Sequence, residues 1–330
     1  MKITFTIIIS FLIGISSYSQ CDKDLNMYKH FSIEFKNDTI NYHTYSSGEK
    51  DSINSILLYC QGSSAMSLYQ VKREGKSLWI GSSVPFDLKT IPKNYLFVVL
   101  SKNGLPFCTK MDEKIVVPKK YYLNETLEYR ANQADKVIKD IVKRNEKDFE
   151  KIVTLGHSEG SDVVAKLGTI NSDITHIGFW SGSGNSQFFD FPLFVRQDVY
   201  KGKITEEEAL IKMDSLFNQY RDIMENKDNI EKFWAENSYK RWYYFSEPPI
   251  DNLIKIDIPI YVAMGAKDKA VPIESVYLIP TEFIRKGKKN LTFKIYPNLD
   301  HGFEKELDNG EFEDHWDDVF QEFLKWVDKK

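Results

Sequence analysis

The stretch that most constrains this chain runs from Lys151 to Leu167: Lys-Ile-Val-Thr-Leu-Gly-His-Ser-Glu-Gly, then Ser-Asp-Val-Val-Ala-Lys-Leu. A run rich in apolar and β-branched residues enters Gly156-His157-Ser158-Glu159-Gly160, and a helical pattern follows at once. A strand, a sharp turn and a helix in that order lift the middle serine above the edge of a parallel sheet. The flanking glycines have a steric reason. Ser158 must take a strained backbone conformation, and a Cβ at 156 or 160 would crowd the strand against the helix. Ordinary glycine and serine usage produces such a pattern by accident in about one chain in ten of this length, so its surroundings and downstream partners decide what it means.

The rest of the chain supplies the sheet that this turn requires. Phe31 to Phe35 and Thr39 to Tyr45 alternate around Asn37-Asp38 and predict an antiparallel hairpin at one sheet edge. Residues 54–60 and 95–100 contain near-continuous apolar runs, as central strands covered on both faces do. Residues 65–94 read as a weak helical pattern and a loop rich in Gly, Ser and Pro. Asn124 to Val142 is an amphipathic helix, with Leu127, Ala131, Ala134, Ile138 and Ile141 at helical spacing. Further strands are predicted at 174–180, 258–264 and 291–296, with a helix between Ser275 and Arg285 and a closing helix striped by Trp316, Val319, Phe320, Phe323, Leu324 and Val327. Strands alternating with helices place the chain in the α/β class, with a mostly parallel sheet and right-handed crossovers.

Residues at about 185–256 break the rhythm. Phe188, Phe189, Phe191 and Phe194 cluster first, and a helix opens at Thr205, which has capping-box spacing to Glu208. Trp242-Tyr243-Tyr244-Phe245 follows. This segment reads as a helical cap insertion over the site, with most of its aromatics gluing it to the sheet.

The 330 residues carry a formal charge of −4 and are 42% hydrophobic, enough for one large domain or one domain with an insertion. No basic stripe stands out, which argues against nucleic acid as a partner. Lys2, the apolar run Ile3 to Ile15 and the small residues before Gln20 describe a signal peptide over 1–19, too short for a membrane span. The mature domain, 20–330, is then exported and soluble or tethered by its N-terminus. Cys21 admits a second reading, a lipid anchor, although Gln20 is bulkier than the small residue that normally precedes a lipidated cysteine. Cys60 and Cys108 are either a disulfide or, at Cys60, a buried free thiol. No cysteine–histidine spacing resembles a zinc site.

A serine hydroxyl becomes nucleophilic when a base accepts its proton and a carboxylate orients that base. Asp268, in Gly265-Ala-Lys-Asp268, and His301, in Asp300-His301-Gly302-Phe303, each sit a few residues past a strand, in the order Ser, Asp, His. Among the other histidines, His157 precedes the serine and should point away from it, His176 lies within a strand, His315 begins a helix, and His30 and His43 lie at the sheet edge. Asp300 is adjacent to His301 and reaches its ring poorly, so Asp190 in the insertion is the rival acid; Asp268 could also merely cap the helix after its loop. A tetrahedral intermediate needs two donors for its oxyanion. The backbone N–H of Glu159 is one candidate, and that of Ser63, in Gln61-Gly62-Ser63-Ser64, is the other, with Ser64 second to it.

Taken together, Gly156-His-Ser-Glu-Gly160, Gly265-Ala-Lys-Asp268 with Val271-Pro272, and Asp300-His301-Gly302-Phe303 resemble the α/β-hydrolases, in particular the branch of dienelactone hydrolase and the prolyl-oligopeptidase catalytic domain. The resemblance covers roughly residues 50–184 and 257–328. It implies an eight-stranded sheet, a Ser158–Asp268–His301 triad, and neither metal nor cofactor. Two departures stand out: Gln61 replaces the histidine usual in the oxyanion motif, and no β-propeller precedes the hydrolase domain. The expected function is an exported serine hydrolase acting on a small-molecule carboxylic ester, with amide, peptide and thioester substrates open to the same machinery. A reading of a different class is a catalytically silent hydrolase fold used for binding at the cell surface.

Overall fold

The computed structural model describes residues 25–330 except 37, 76 and 147; the expected signal peptide, 1–19, and Cys21 lie outside the described residues. Eight strands form the main sheet: β1 (Lys29–Phe35), β2 (Asp38–Tyr45), β3 (Ser55–Cys60), β4 (Tyr95–Leu100), β5 (Lys151–His157), β6 (His176–Trp180), β7 (Ile260–Gly265) and β8 (Leu291–Tyr296). Their order is β1-β2-β4-β3-β5-β6-β7-β8. β1 and β2 pair antiparallel, as do β2 and β4, and every later pairing is parallel. All residues of β3 and β7 are buried, which is why their sequences are apolar runs without alternation.

Helices cover both faces of the sheet. α1 (Leu127–Asn145) starts where the Thr126 side chain accepts a hydrogen bond from the Tyr129 N–H. It buries Ala131, Ala134, Ile138 and Ile141 in one core together with Val163, Val164 and Leu167 of α2 (Glu159–Ile170). Between β6 and β7 stands the insertion, built on α3 (Gln187–Tyr200), α4 (Glu206–Glu225) and α5 (Tyr239–Tyr244). The capping box of Thr205 and Glu208 is formed. Phe188, Phe191, Trp234, Tyr239 and Trp242 with Ile223 make a small core of the insertion's own. α6 (Trp316–Val327) closes the second face, setting Phe320 and Phe323 against Phe86, Trp180 and Tyr261. Each such aromatic contributes about 1.5–3 kcal/mol by leaving water.

Two local expectations are corrected, and one left open is decided. Residues 65–94 hold a hairpin, Tyr69–Glu74 with Ser77–Ser82, which Cys108–Lys110 extends as a third strand. Gly75, at φ +61°, makes the turn there. The helix expected from Ser275 to Arg285 is two, Ile273–Val276 and Leu278–Arg285, and Pro280 lies in the first turn of the second, where its missing N–H costs nothing. Cys60 is a buried free thiol, pushed up to about 12 by burial, and Cys108 is disulfide-bonded, so the two are not joined to each other.

The glycines around Ser158 are fixed by contact between backbones. A Cβ on Gly160 would lie 1.9 Å from the carbonyl oxygen of Cys60, and one on Gly156 would lie 2.0 Å from that of Gly160. Neither partner can rotate away. Gly160→Ala is therefore expected to cost at least the 1–3 kcal/mol or so typical of overpacking. Urea unfolding checks this through a lower midpoint at unchanged slope.

Candidate active site

Ser158 joins β5 to α2 with φ 56° and ψ −128°, a backbone state that costs a residue with a side chain about 1–3 kcal/mol. Its N–H donates to the Trp180 carbonyl at 2.9 Å, and its carbonyl accepts from the Ser161 hydroxyl at 2.6 Å. Gly62 packs against it: a Cβ there would be 3.4 Å from Cβ of Ser158. The loop after β3 therefore borders the serine on one side.

The loops after β7 and β8 are stitched together by close approach. A Cβ on Gly265 would meet the Asp300 carbonyl oxygen at 2.2 Å, and the Lys267 N–H donates to the Leu299 carbonyl at 2.9 Å. This brings Asp268 to His301. The Asp268 side chain is fully buried; Oδ1 accepts from the N–H groups of Ala270 (2.7 Å) and Val271 (2.8 Å), and Oδ2 lies 2.7 Å from His301 Nδ1. Asp268 thus caps its own loop and holds the imidazole at once. With Nδ1–H donated to the carboxylate, Nε2 is left as the acceptor that a general base needs. The His301 side chain is 27% exposed.

His157 does not simply point away. Its Nε2 donates to the His301 carbonyl at 2.8 Å, the Ser181 hydroxyl donates to the same oxygen at 3.1 Å, and the His157 and His301 rings lie 4.9 Å apart. Burial, and then the neighbouring His301, push His157 down to about 3, so it stays neutral there. The residue beside the serine thereby anchors the backbone of the base. Ser158 and His301 make no hydrogen bond to each other among the described residues; such contacts commonly tighten only when substrate arrives.

The rival residues have other partners. Asp300 Oδ1 accepts from the N–H groups of Gly302 and Glu304, which turns the loop. Asp190 is buried in α3, where Ser183 donates to its Oδ1 at 3.0 Å. His176 contacts Thr175, His315 contacts Asp318, and His30 faces His43. Among the described residues no group of three or more His, Cys, Asp or Glu is arranged to hold a metal ion, and no helix is long and apolar enough to cross a membrane.

The amides of Ser63 and Glu159 have no acceptor in the protein among the described residues. For Glu159 this follows from its place as the first residue of α2. Its side chain is buried, and one carboxylate oxygen accepts from Arg130 while the other lies 2.6 Å from Nε of Arg241. Lys102 is 3.6 Å from the first oxygen and donates to Glu125 at 2.9 Å. Burial alone would raise the Glu159 carboxyl, but Arg241, Lys102 and Arg130 hold it well below the usual range. Asp162, one turn on, goes the other way, raised by burial and by the charge of Glu159. Sequence reasoning missed this cluster, although Arg130 was visible as a charge within the apolar stripe of α1.

Residues 235–330 match the Dienelactone hydrolase family. Among solved structures, the acylaminoacyl peptidase of Pyrococcus horikoshii superposes with a TM-score of 0.57 at 13% identity, over 94% of this chain and 43% of that one. Est1E from Butyrivibrio proteoclasticus gives 0.50 at 14% identity, over 91% of this chain and 99% of its own. A thermostable carboxyl esterase from Bacillus coagulans gives 0.52 at 17% identity, over 92% and 98%. The chain has the α/β-hydrolase fold. It spans less than half of the peptidase and nearly the whole of either esterase. No curated protein matches the sequence significantly.

In this fold, Asp190 should make stability fall with pH. Burial raises its carboxyl to about 7, against the Ser275 and Ser183 hydroxyls that lower it and with help from Asp268. The unfolded chain loses this proton near pH 3.8, so between about 4 and 7 the native state holds the extra proton and stability declines as pH rises. Asp190→Asn removes that slope. Its stability advantage over the wild type should grow through this window and level off above it, at a size on the order of a few kcal/mol. Chemical unfolding at pH 5 and pH 8 checks the sign.

Proposed function

We propose that this chain is an exported serine hydrolase that cleaves a carboxylic ester through an acyl-enzyme. Ser158 attacks the carbonyl, His301 takes its proton and returns it to the leaving alcohol, and Asp268 orients His301 and stabilises its cation. The backbone N–H groups of Ser63 and Glu159 receive the oxyanion. Water, activated by the same histidine, then releases the acid.

The observation that carries this reading is the 2.7 Å contact of the buried Asp268 carboxylate with His301 Nδ1, on a loop tied through His157 to the strained turn of Ser158. The leader-like first 19 residues support export. The two esterases, matched over nearly their full lengths, favour an ester over a peptide bond. A cavity of about 330 Å³ borders Ser63, with Ala65, Met66, Tyr121, Tyr122, Glu125 and Arg241 among its walls and neither Ser158 nor His301 lining it; its size favours a short acyl group over a long one.

Three measurements test the reading. A fluorophosphonate probe should label the wild type and not Ser158→Ala; labelling of neither would leave the silent binding protein as the better account. Among p-nitrophenyl esters, acetate should turn over faster than octanoate, and turnover of aminoacyl amides alone would replace the esterase with a peptidase. Asp268→Asn should lower kcat by about 10³–10⁴-fold with the fold retained, because the wrong tautomer is then favoured.

A further inference from the structure

The buried cluster around Glu159 joins the two loops that bear on the oxyanion. Arg130 projects from the first turn of α1 and is buried. One guanidinium nitrogen donates to the Glu159 carboxylate, and the other donates to the backbone carbonyl of Gln61 at 2.7 Å. Glu159 carries one proposed oxyanion donor on its own amide, and Gln61 stands two residues before Ser63, which carries the other. Gln61 is held a second time, since its side-chain Nε2 donates to the Leu100 carbonyl at 3.0 Å.

We propose that Arg130 is a positioning residue for the oxyanion donors: its planar fork, clamped to Glu159 on one arm and to Gln61 on the other, sets the separation of the Glu159 and Ser63 amides. This rests on the hydrolase reading above and adds the element that fixes its electrostatic geometry. The choice of side chain follows from the task. A guanidinium presents several donors in a rigid plane, whereas an ammonium is a point charge that rotates freely. Lys102 already supplies an ammonium 3.6 Å from the same carboxylate, so charge alone does not account for Arg130. Nor does stability, because a buried ion pair is often no better for the fold than well-packed apolar groups. The remaining Glu159 oxygen is taken by Arg241, so the carboxylate cannot swing to follow a displaced loop.

The test compares the wild type with Arg130→Lys by ester hydrolysis, and by inhibition with a trifluoromethyl ketone, whose tetrahedral adduct places an oxyanion between the two amides. Arg130→Lys should lower kcat by about 10–100-fold, less than or up to the loss of one whole donor. KM should stay within about two-fold, and inhibitor affinity should fall in step with kcat/KM. A purely structural role would instead lower the unfolding midpoint and leave the ratio of inhibitor to substrate affinity alone, and that result would overturn the proposal. If Arg130→Lys does not fold, Glu159→Gln is read in its place. It keeps the shape and the amide but removes the charge, and should weaken the inhibitor by about 10-fold relative to substrate; unchanged selectivity for the tetrahedral adduct would count against the proposal as firmly. If the wild type itself neither hydrolyses esters nor takes the fluorophosphonate, the hydrolase reading fails, and the role of Arg130 falls with it. Failure of the Arg130 variant alone leaves that reading standing.

Discussion

Ser158 is held in a backbone conformation that few residues with a side chain adopt, and the arrangement around it exists to keep it there. The local cost must be met by surroundings that allow no alternative. Here those surroundings are mostly backbone. The Cys60 carbonyl faces Gly160, the Gly160 carbonyl faces Gly156, and the Trp180 carbonyl receives the serine N–H. Three neighbouring strands, β3, β5 and β6, thus converge on one turn, and their parallel pairing in register fixes the spacing. Elements made of hydrogen-bonded backbone bend far less than side chains, so the hydroxyl is presented at a fixed place above the sheet edge.

The same economy recurs at the loops after β7 and β8. Gly265 lets the Asp300 carbonyl approach, and the Asp268 carboxylate divides its two oxygens between its own loop amides and the imidazole. A carboxylate that accepts backbone N–H groups is ordered before any substrate binds. His301 is ordered in turn from both ends, at its ring by Asp268 and at its carbonyl by His157 and Ser181. Preorganised groups of this kind need not reorganise as charge develops in the transition state.

Much of this was legible in the amino-acid sequence, and what was not shares one physical character. The turn at Ser158 and the loops bearing Asp268 and His301 are marked locally, by glycines and prolines at the ends of apolar strands. The sheet was readable for the same reason, since two-sided burial leaves runs without alternation. The hairpin at 69–82 was not, because Lys72, Arg73 and Glu74 make its outer half polar and its pairing with Cys108–Lys110 is distant in sequence. The contact of His157 with the His301 carbonyl and the cluster of Lys102, Glu125, Arg130, Glu159 and Arg241 were hidden likewise. Each of these charges looks like a solvated surface residue until the fold brings it to a partner. Arg130 alone breaks a pattern, standing where α1 should be apolar.

That cluster also explains why an insertion so far along the chain bears on the nucleophile. Arg241 lies in α5 and gives Nε and one terminal nitrogen to Glu159, while its other terminal nitrogen donates to Gln187 at the start of α3. A buried cation and a buried anion are each costly alone and tolerable only together. The insertion therefore cannot lift from the sheet at this point without leaving a desolvated carboxylate next to Ser158. Farther along, Phe245, Ile250, Leu253 and Ile256 bury the end of the insertion in the main core, whereas the aromatic core of Phe188, Phe191, Trp234 and Trp242 is internal to it. The ion pair thus fixes the middle of the insertion at the residue whose amide faces the proposed oxyanion, while apolar packing fixes its end.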